Sequence, residues 1–234
     1  MELKGAKILV TGGSSGIGKE TAKLLIEKGA KVLITGRDIS KLKSVAQNIG
    51  AIALDFDISK TETIEAKTKE AIQLLGGIDV LVNNAGIGGD FTTLDEVTAE
   101  DFQNVFTTNV FNLALLTKEV SSYFKEQMNG TIINIGSTAS LKGFARGTVY
   151  AGSKFALRGM TQCWQAELRK FNVRVTLVCP SEVTTAFGNE ERKERKEESN
   201  KLNSYDIADT IVHVIEKRDR GFVPEVTVWA TNPF

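Results

Sequence analysis

The sequence predicts an α/β fold in which helices cover both faces of a mostly parallel, seven-stranded sheet. Short apolar runs alternate along the chain with longer segments whose apolar residues recur at helical spacing. This alternation is typical of parallel strands joined by helical crossovers. A length of 234 residues suits one domain with a large buried core, so we expect residues 1–234 to form a single domain.

Each predicted strand is a short apolar run that ends at a glycine or a polar residue. The predicted strands are residues 7–12, 31–35, 51–55, 78–82, 131–136, 173–179 and 226–230. The predicted helices are residues 19–28, 40–48, 61–75, 101–125, 149–170 and 205–217. Ligands of such sheets bind beyond the carboxyl ends of the strands, where the winding direction reverses, so we expect the functional residues there.

The composition argues against several classes of protein. The 29 basic residues balance the 29 acidic ones, which gives no electrostatic case for binding nucleic acid or an anionic membrane. No stretch approaches the roughly 20 apolar residues of a membrane span, and the N-terminus does not have the pattern of a signal peptide. Cys163 and Cys179 lack metal-ligand spacing, so we expect no metal site and a reduced, cytoplasmic compartment.

A glycine-rich loop, GGSSGIG at residues 12–18, connects the first strand to the first helix. Glycines let the backbone approach a pyrophosphate closely, and the helix N-terminus supplies N–H groups and positive potential. A tight turn that binds nothing has a similar composition. The strand before the loop and the helix after it favour a dinucleotide site.

The end of the second strand bears on the choice of dinucleotide. Gly36, Arg37 and Asp38 follow the glycine loop by about 20 residues, where an acid would bind the ribose 2′-hydroxyl of NAD and an arginine the 2′-phosphate of NADP. Arg37 favours NADP, whereas Asp38 leaves NAD open. Both side chains could instead be solvated, with Asp38 capping the next helix.

Ser137, Tyr150 and Lys154 form the candidate chemical centre. Tyr150 and Lys154 are four residues apart, one turn apart on the same face of the predicted helix. A phenol titrates near pH ~10, and a neighbouring ammonium would lower that pKa so that Tyr150 could exchange a proton with a substrate oxygen. Ser137 could hold the same oxygen. The tyrosine–lysine spacing is common on amphipathic helices, so it has meaning only together with the rest of the chain.

Together these motifs resemble the compact, single-domain branch of the short-chain dehydrogenase/reductases. The resemblance extends from about residue 3 to about residue 185 and is carried by Thr11-Gly12-x-x-x-Gly16-x-Gly18, Asp57, Asn83-Asn84-Ala85-Gly86, Asn109, Ser137, Tyr150-x-x-x-Lys154 and Pro180. It implies a three-layer, doubly wound Rossmann fold. It also implies an oxidoreductase that reduces a carbonyl to an alcohol, or the reverse, by hydride transfer with NADP, or less probably for this sequence with NAD.

The resemblance assigns a role to each candidate catalytic residue. Tyr150 would be the acid or base, and Lys154 would lower its pKa and hold the nicotinamide ribose. Ser137 would orient the substrate oxygen. Asn109 would hold a water that links Lys154 to solvent, although a lone amide on an apolar helix face is usually a satisfied core residue.

The resemblance also implies a cofactor site along the strand ends. Its predicted members are Gly12, Ser14, Ser15, Ile17 and Gly18 near the pyrophosphate, Arg37 at the 2′-phosphate, Asp57 and Ile58 at the adenine, Asn83, Ala85 and Gly86 at the adenosine ribose, and Tyr150, Lys154, Pro180, Val183 and Thr185 at the nicotinamide. The family usually has glycine after Pro180, whereas this chain has Ser181 and Glu182.

The substrate pocket is expected between residues 88–91, 139–146 and 184–187, with a lid at about 184–204. Phe91, Phe144 and Phe187 suggest an apolar substrate body, and Arg146 and Glu182 leave a charged substrate open. The substrate is expected to be a small carbonyl compound or alcohol. The family commonly forms dimers or tetramers through the helices predicted at 101–125 and 149–170, so we expect a homodimer or homotetramer.

Three alternative functions remain at this stage. A 3-oxoacyl-carrier-protein reductase is disfavoured because this chain ends in VTVWATNPF rather than with the usual Asp-Gly-Gly. A non-catalytic, dinucleotide-sensing regulator would be expected to lack one of Asn109, Ser137, Tyr150 and Lys154, and all are present. A serine hydrolase is disfavoured because Ser137 has no G-x-S-x-G context and the sequence has a single histidine, His213.

Overall fold

A computed structural model describes residues 1–187 and 195–233. Within them, seven strands form one sheet in the order β3-β2-β1-β4-β5-β6-β7, and every neighbouring pair is parallel. The strands are β1 Lys7–Val10, β2 Lys31–Gly36, β3 Ile52–Asp55, β4 Val80–Asn83, β5 Gly130–Ile135, β6 Val173–Pro180 and β7 Glu225–Val228. The predicted α/β class and doubly wound Rossmann arrangement are therefore confirmed, and the sheet is parallel throughout.

The α-helices alternate with these strands. They are α1 Gly16–Glu27, α2 Ile39–Ile49, α3 Ile64–Leu75, α4 Ala99–Phe106, α5 Leu113–Gln127, α6 Thr148–Leu168 and α7 Ser204–Glu216. The helix predicted as continuous over residues 101–125 is in fact α4 and α5 joined by a π-helical turn, Thr107–Asn112. A π turn changes the spacing of apolar residues only slightly and, unlike a break at proline, cannot be recognised in the sequence. Such turns occur often at functional sites.

Both faces of the sheet are covered, which explains why the strands are almost wholly apolar. Ile8 and Val10 of β1 belong to the apolar cluster that contains Leu25 of α1 and Ile211 of α7. Leu9, which points to the opposite face, belongs to the cluster that contains Leu116 of α5. The two clusters anchor the strands, so the loops at the carboxyl ends start from fixed positions.

The winding direction reverses between β1 and β4. From β1 the chain proceeds outward to β2 and β3, and from β4 it proceeds the other way to β7. The crevice at the carboxyl ends of β1 and β4 is thus the expected ligand site of an open α/β sheet.

The segment predicted as a lid, at about 184–204, is described only in part, because residues 188–194 lie outside the described residues. Its two ends meet: Val183 forms a parallel bridge with Leu202, and the Thr184 N–H donates to the Leu202 carbonyl at 2.9 Å. The segment therefore leaves and rejoins the fold at one place beside the carboxyl end of β6.

In residues 1–187 and 195–233, we find no helix with the length and apolar character that crossing a membrane requires. The single histidine, His213, is exposed on α7, and its Nδ1 lies 3.3 Å from a carboxylate oxygen of Asp209. His213 does not line the cleft described below. It therefore cannot serve there as the base that a serine hydrolase needs.

Candidate active site

A cleft of about 1490 Å³ opens at the carboxyl ends of the strands. It brings together most of the residues that the sequence predicts for the site. These are Gly12, Ser14, Ser15, Ile17, Arg37, Asp57, Ile58, Ala85, Gly86, Ser137, Tyr150, Lys154, Pro180, Val183 and Thr185. Gly18, Asn83 and Asn109 are not part of its lining, and each has a structural partner behind the wall of the cleft.

The glycine loop is held against the end of β4. Gly12 has a left-handed φ of +64°, and a Cβ there would lie 3.0 Å from the Ala85 Cα. A Cβ on Gly18 would lie 2.5 Å from the Gly12 carbonyl oxygen, so Gly18 allows α1 to pack onto the loop rather than contacting a ligand itself. The first turn of α1 consequently faces the cleft, where its N–H groups and dipole suit a pyrophosphate.

The two charged residues after β2 have different surroundings. The Asp38 carboxylate accepts a hydrogen bond from the Lys41 N–H at 3.0 Å and caps α2. Arg37 is exposed and, like Ser14 and Lys41, lines the cleft. The interpretation of Asp38 as a helix cap is therefore confirmed, and the Arg37 guanidinium is a group suited to a phosphate at this end.

Asn83, which the resemblance places at the adenosine ribose, does not line the cleft. Asn83 is buried and its amide donates to Thr117 Oγ1 and to Asn134 Oδ1, both at 2.9 Å. It is Asn84 that lines the cleft, with its amide donating to the carbonyls of Thr11 and Gly12. Two adjacent asparagines alternate between the faces of a strand end, and the sequence does not reveal which of them faces the ligand.

Ser137, Tyr150 and Lys154 converge in the cleft, as the sequence predicts. Ser137 starts a 3-10 turn directly after β5, and Tyr150 and Lys154 belong to α6. The Lys154 Nζ donates to the Ile135 carbonyl at 2.8 Å and lies 5.8 Å from the centre of the Tyr150 ring. A strand end and the following helix thus deliver a hydroxyl, a phenol and an amine to one place.

Burial dominates the electrostatics of this group. Desolvation raises the pKa of Tyr150 above its ordinary value, and a hydrogen bond with Ser137 only partly opposes it. Desolvation also lowers the pKa of Lys154 to about 8. The Tyr150 pKa is therefore raised rather than lowered as expected, because removal from water disfavours the charged forms of both Tyr150 and Lys154.

Asn109 lies in the π turn and is fully buried. Its Oδ1 accepts from the Ile87 N–H at 2.9 Å, and its Nδ2 donates to the Ile87 carbonyl at 2.9 Å and to Ser153 Oγ at 3.1 Å. A Cβ on Gly86 would lie 3.2 Å from the same Oδ1 and 3.8 Å from Lys154 Nζ. Asn109 thus ties the loop after β4 to α6, directly behind Lys154, as the satisfied core residue that the apolar helix face suggests.

The two charged residues considered for a charged substrate are not equivalent. Glu182 lines the cleft, and its carboxylate is paired with Arg195 at 2.8 Å. Arg146 has a left-handed φ of +66°, is exposed, and is not among the lining residues. Arg146 is therefore solvated, and Glu182 is the one of these two residues that lines the cleft.

Comparison with known proteins decides the family. Residues 6–196 match the model of the family described as short chain dehydrogenase. The chain belongs to the short-chain dehydrogenase/reductase family. It is 36% identical over 177 residues to carbonyl reductase family member 4 of Xenopus tropicalis, a match that covers 75% of each chain.

Solved structures agree with this family membership. The fold matches an alcohol dehydrogenase from the archaeon Thermococcus sibiricus complexed with 5-hydroxy-NADP, with a TM-score of 0.89, 25% identity and 97% of each chain covered. It also matches a 3-ketoacyl-(acyl-carrier-protein) reductase from Brucella melitensis complexed with NADH, with a TM-score of 0.88, 27% identity, and 99% and 100% of the chains covered. This family member is an oxidoreductase that acts on alcohol or carbonyl groups with a nicotinamide dinucleotide.

Proposed function

We propose that the protein is an NADP-dependent carbonyl reductase in which Tyr150 gives a proton to the carbonyl oxygen and takes it back in alcohol oxidation. The observation that carries this proposal is the convergence of Ser137, Tyr150 and Lys154 in one cleft. A neutral phenol within reach of a substrate oxygen is a proton donor ready for reduction at neutral pH.

Each side chain has a distinct part in the proposed reaction. The bound cofactor supplies a hydride to the carbonyl carbon. Ser137 donates a hydrogen bond to the carbonyl oxygen, and the Tyr150 O–H transfers its proton to that oxygen as the negative charge develops. Lys154, which is protonated below a pKa of about 8, stabilises the phenolate that remains and holds the nicotinamide ribose. Asn109 would hold the water through which Tyr150 regains its proton. It would do so with the second lone pair of its Oδ1, because its amide hydrogens are already donated to Ile87 and Ser153.

We propose that the cofactor is NADP rather than NAD. Asp38, the acid that could bind the 2′-hydroxyl of NAD, is used to cap α2, whereas Arg37 is exposed in the cleft. A guanidinium is well suited to a phosphate because it can donate two parallel hydrogen bonds. The other proposed cofactor contacts are Gly12, Ser14, Ser15, Ile17, Asp57, Ile58, Ala85, Gly86, Pro180, Val183 and Thr185, all of which line the cleft.

A second candidate, reduction of a 3-oxoacyl group on a carrier protein, is favoured by the similarity to the Brucella melitensis reductase. Both activities use the same chemical centre and differ in the size of the group attached to the carbonyl. If this second candidate is correct, an acyl-carrier substrate should be reduced far faster than a free ketone, because contacts between the enzyme and the parts of the substrate remote from the carbonyl would contribute to catalysis. Comparable rates for a free ketone and an acetoacetyl carrier protein would therefore favour the carbonyl reductase.

We further propose that the chain is a single dinucleotide-binding domain with a lid at about 184–204, that it acts in the cytoplasm, and that it forms a homodimer or homotetramer. Phe111 in the π turn, Leu115 on α5 and Phe155 on α6 are exposed apolar side chains. They lie on the helices through which the family commonly assembles. An unoccupied apolar face of this kind favours association with another surface.

The proposal is tested by giving the wild-type protein NADPH that carries deuterium at C4 of the nicotinamide, together with a panel of aldehydes and ketones. We expect NADPH to be consumed and deuterium to appear on the carbinol carbon of the alcohol product. Tight NADPH binding with no turnover of any carbonyl would contradict the proposal and would favour the dinucleotide-sensing regulator.

A further inference from the structure

Three partly exposed phenylalanine rings form a cluster beside the proposed proton donor: two of them neighbour the Tyr150 ring, and the third neighbours one of those two. Phe91, Phe144 and Phe187 are 37%, 50% and 40% exposed, and all three line the cleft. They come from the loop after β4, the loop before α6 and the segment after β6. A contiguous patch of exposed rings in a concave site is a feature of ligand recognition, because the rings are not needed for packing.

From this aromatic wall, defined as Phe91, Phe144 and Phe187, we infer that the enzyme selects uncharged ketones that carry an aryl or similarly large apolar group a short chain away from the carbonyl. The inference rests on the proposed carbonyl reductase function and specifies its substrate class.

The rings are arranged around Tyr150 rather than scattered along the cleft. The centre of the Tyr150 ring lies 5.9 Å from that of Phe91, at an interplanar angle of 71°, and 5.7 Å from that of Phe187. The Phe91 and Phe144 rings are 5.9 Å apart. The Tyr150 ring therefore has two aromatic neighbours at the separations of tilted and edge-to-face contacts, and a large apolar group of a substrate bound at Tyr150 would lie near them.

Two glycines fix where these rings lie. Gly88 is in contact with both Phe91 and Phe187, since a Cβ there would be 3.4–3.5 Å from the two rings. Gly147 lies beneath Phe144, and a Cβ there would be 2.6–2.8 Å from the ring carbons. The backbone of Gly147 has φ −97°, which alanine can adopt. Gly147→Ala would thus displace the Phe144 ring without removing it.

The charges near the aromatic wall do not favour an anionic substrate. The Arg195 guanidinium lines the cleft, but it is bound to Glu182 at 2.8 Å and approaches Glu198 at 3.8 Å. Lys201 also approaches Glu182, at 3.8 Å. Lys142 lines the cleft as an exposed cation on the same loop as Phe144, so an anionic ligand must be included in the test.

The test compares three ketones that share the unit CH3–CO–CH2–CH2: 2-butanone, 4-phenyl-2-butanone and levulinate. The phenyl group and the carboxylate are separated from the carbonyl by two methylenes, so the comparison mainly reports binding. With NADPH and the full chain, we expect kcat/KM for 4-phenyl-2-butanone to exceed that for 2-butanone by at least about tenfold, as burial of a phenyl group allows. We expect levulinate to be no better than 2-butanone.

Variants locate the preference on the aromatic wall. Phe144→Ala and Phe187→Ala should each reduce the ratio of the phenyl-ketone kcat/KM to the 2-butanone kcat/KM by about two- to tenfold. Gly147→Ala should reduce it in the same direction. Phe222, a half-buried ring that contacts Arg169 and is not part of the cleft lining, provides the control. Phe222→Ala should leave the ratio as in the wild type.

The outcomes separate this inference from the function on which it rests. Turnover of all three ketones with equal kcat/KM, a preference for levulinate, or a phenyl preference that the wall variants do not reduce would each overturn the aromatic selectivity and leave the reductase function intact. Bound NADPH with no turnover of these three ketones would overturn the aromatic selectivity, and it would overturn the reductase function as well if no other aldehyde or ketone of the panel is reduced. A phenyl preference that falls in the wall variants and not in Phe222→Ala would establish the inference.

Discussion

At the scale of single residues, Lys154 shows most clearly how the site differs from an ordinary protein interior. Its amine is 6% exposed, donates to the Ile135 carbonyl, and has its pKa lowered by burial to about 8. In the unfolded chain a lysine keeps its ordinary, higher pKa, so the unfolded state binds more protons between the two values. Burying this charge therefore opposes folding below about pH 8, and the penalty is relieved as the pH rises above 8.

We expect Lys154→Met to be more stable than the wild type at pH 7 and almost inactive. The lowered pKa corresponds to a penalty of roughly 3 kcal/mol, and loss of the hydrogen bond to Ile135 offsets part of the gain, which leaves about 1–3 kcal/mol. Urea unfolding at pH 7 and pH 9.5 measures this, and the advantage of the variant should shrink at the higher pH. The exposed Lys170→Met is the matched control. If the variant were less stable than the wild type at pH 7, burial of the Lys154 charge would not be destabilising, and this explanation would be contradicted.

Arg37 is the residue on which the proposed cofactor preference depends. Replacement by alanine removes the Arg37 guanidinium from the cleft while the Asp38 cap of α2 is kept. We expect Arg37→Ala to weaken NADPH binding about 10- to 100-fold, as loss of a charged hydrogen bond allows, with little change for NADH. Fluorescence titration of both cofactors measures this, and Arg37→Lys should recover part of the NADPH affinity. Equal losses for NADPH and NADH would mean that Arg37 does not bind the 2′-phosphate.

At the scale of elements, the sequence predicts the order of strands and helices and most of the cleft. Those predictions succeed because helices and strands each require their own spacing of apolar residues, and tight turns require glycine, so both leave a direct pattern in the sequence. The π turn at Thr107–Asn112 and the choice between Asn83 and Asn84 were not predictable, because they depend on how packed elements meet. The Tyr150 pKa was expected to be lowered by Lys154, and it is instead raised. The sequence shows the spacing between the two residues but does not show how deeply they are buried.

The π turn gives a prediction at this scale. It places the Asn109 amide where it joins the backbone of Ile87 to the Ser153 hydroxyl of α6. Asn109→Ala would leave the Ile87 N–H and carbonyl without these partners, and we expect a loss of about 2–4 kcal/mol in unfolding free energy together with a large loss of kcat. Ser153→Ala removes the bond from Asn109 at 3.1 Å and the bond that the Ser153 hydroxyl donates to the Tyr150 carbonyl at 2.7 Å, but it leaves both Ile87 groups paired and should cost less, about 1 kcal/mol. Equal stability of the two variants, measured by thermal or urea unfolding, would contradict this account of the turn.

At the scale of the whole molecule, the parallel sheet delivers every proposed reacting group from one edge, and the outer helices are left with exposed apolar rings. Phe111 is 53% exposed, and the centre of its ring lies 6.3 Å from that of Phe106, with the two rings tilted by 58°. Phe155 on α6 is 44% exposed. The cleft and these outer helix surfaces involve different residues, so assembly and chemistry can be tested separately.

We expect the wild type to sediment as a dimer or tetramer, and Phe111→Arg or Phe155→Arg to shift it toward the monomer by placing a charge in an apolar contact. Sedimentation velocity across a range of concentrations measures this. Leu74→Arg, an exposed apolar position on α3, is the control and should not change the assembly. A wild type that is monomeric at all concentrations would contradict the proposed oligomer.

The central claim is that Tyr150 transfers the proton, and its most direct test is Tyr150→Phe. This variant keeps the ring that contacts Phe91 and Phe187 and removes only the hydroxyl. NADPH affinity and kcat for carbonyl reduction should be measured on the same preparations of variant and wild type. The account predicts that kcat falls by about 10²- to 10⁴-fold while NADPH still binds with an affinity close to that of the wild type. A variant that binds NADPH and reduces the carbonyl at the wild-type rate would contradict it.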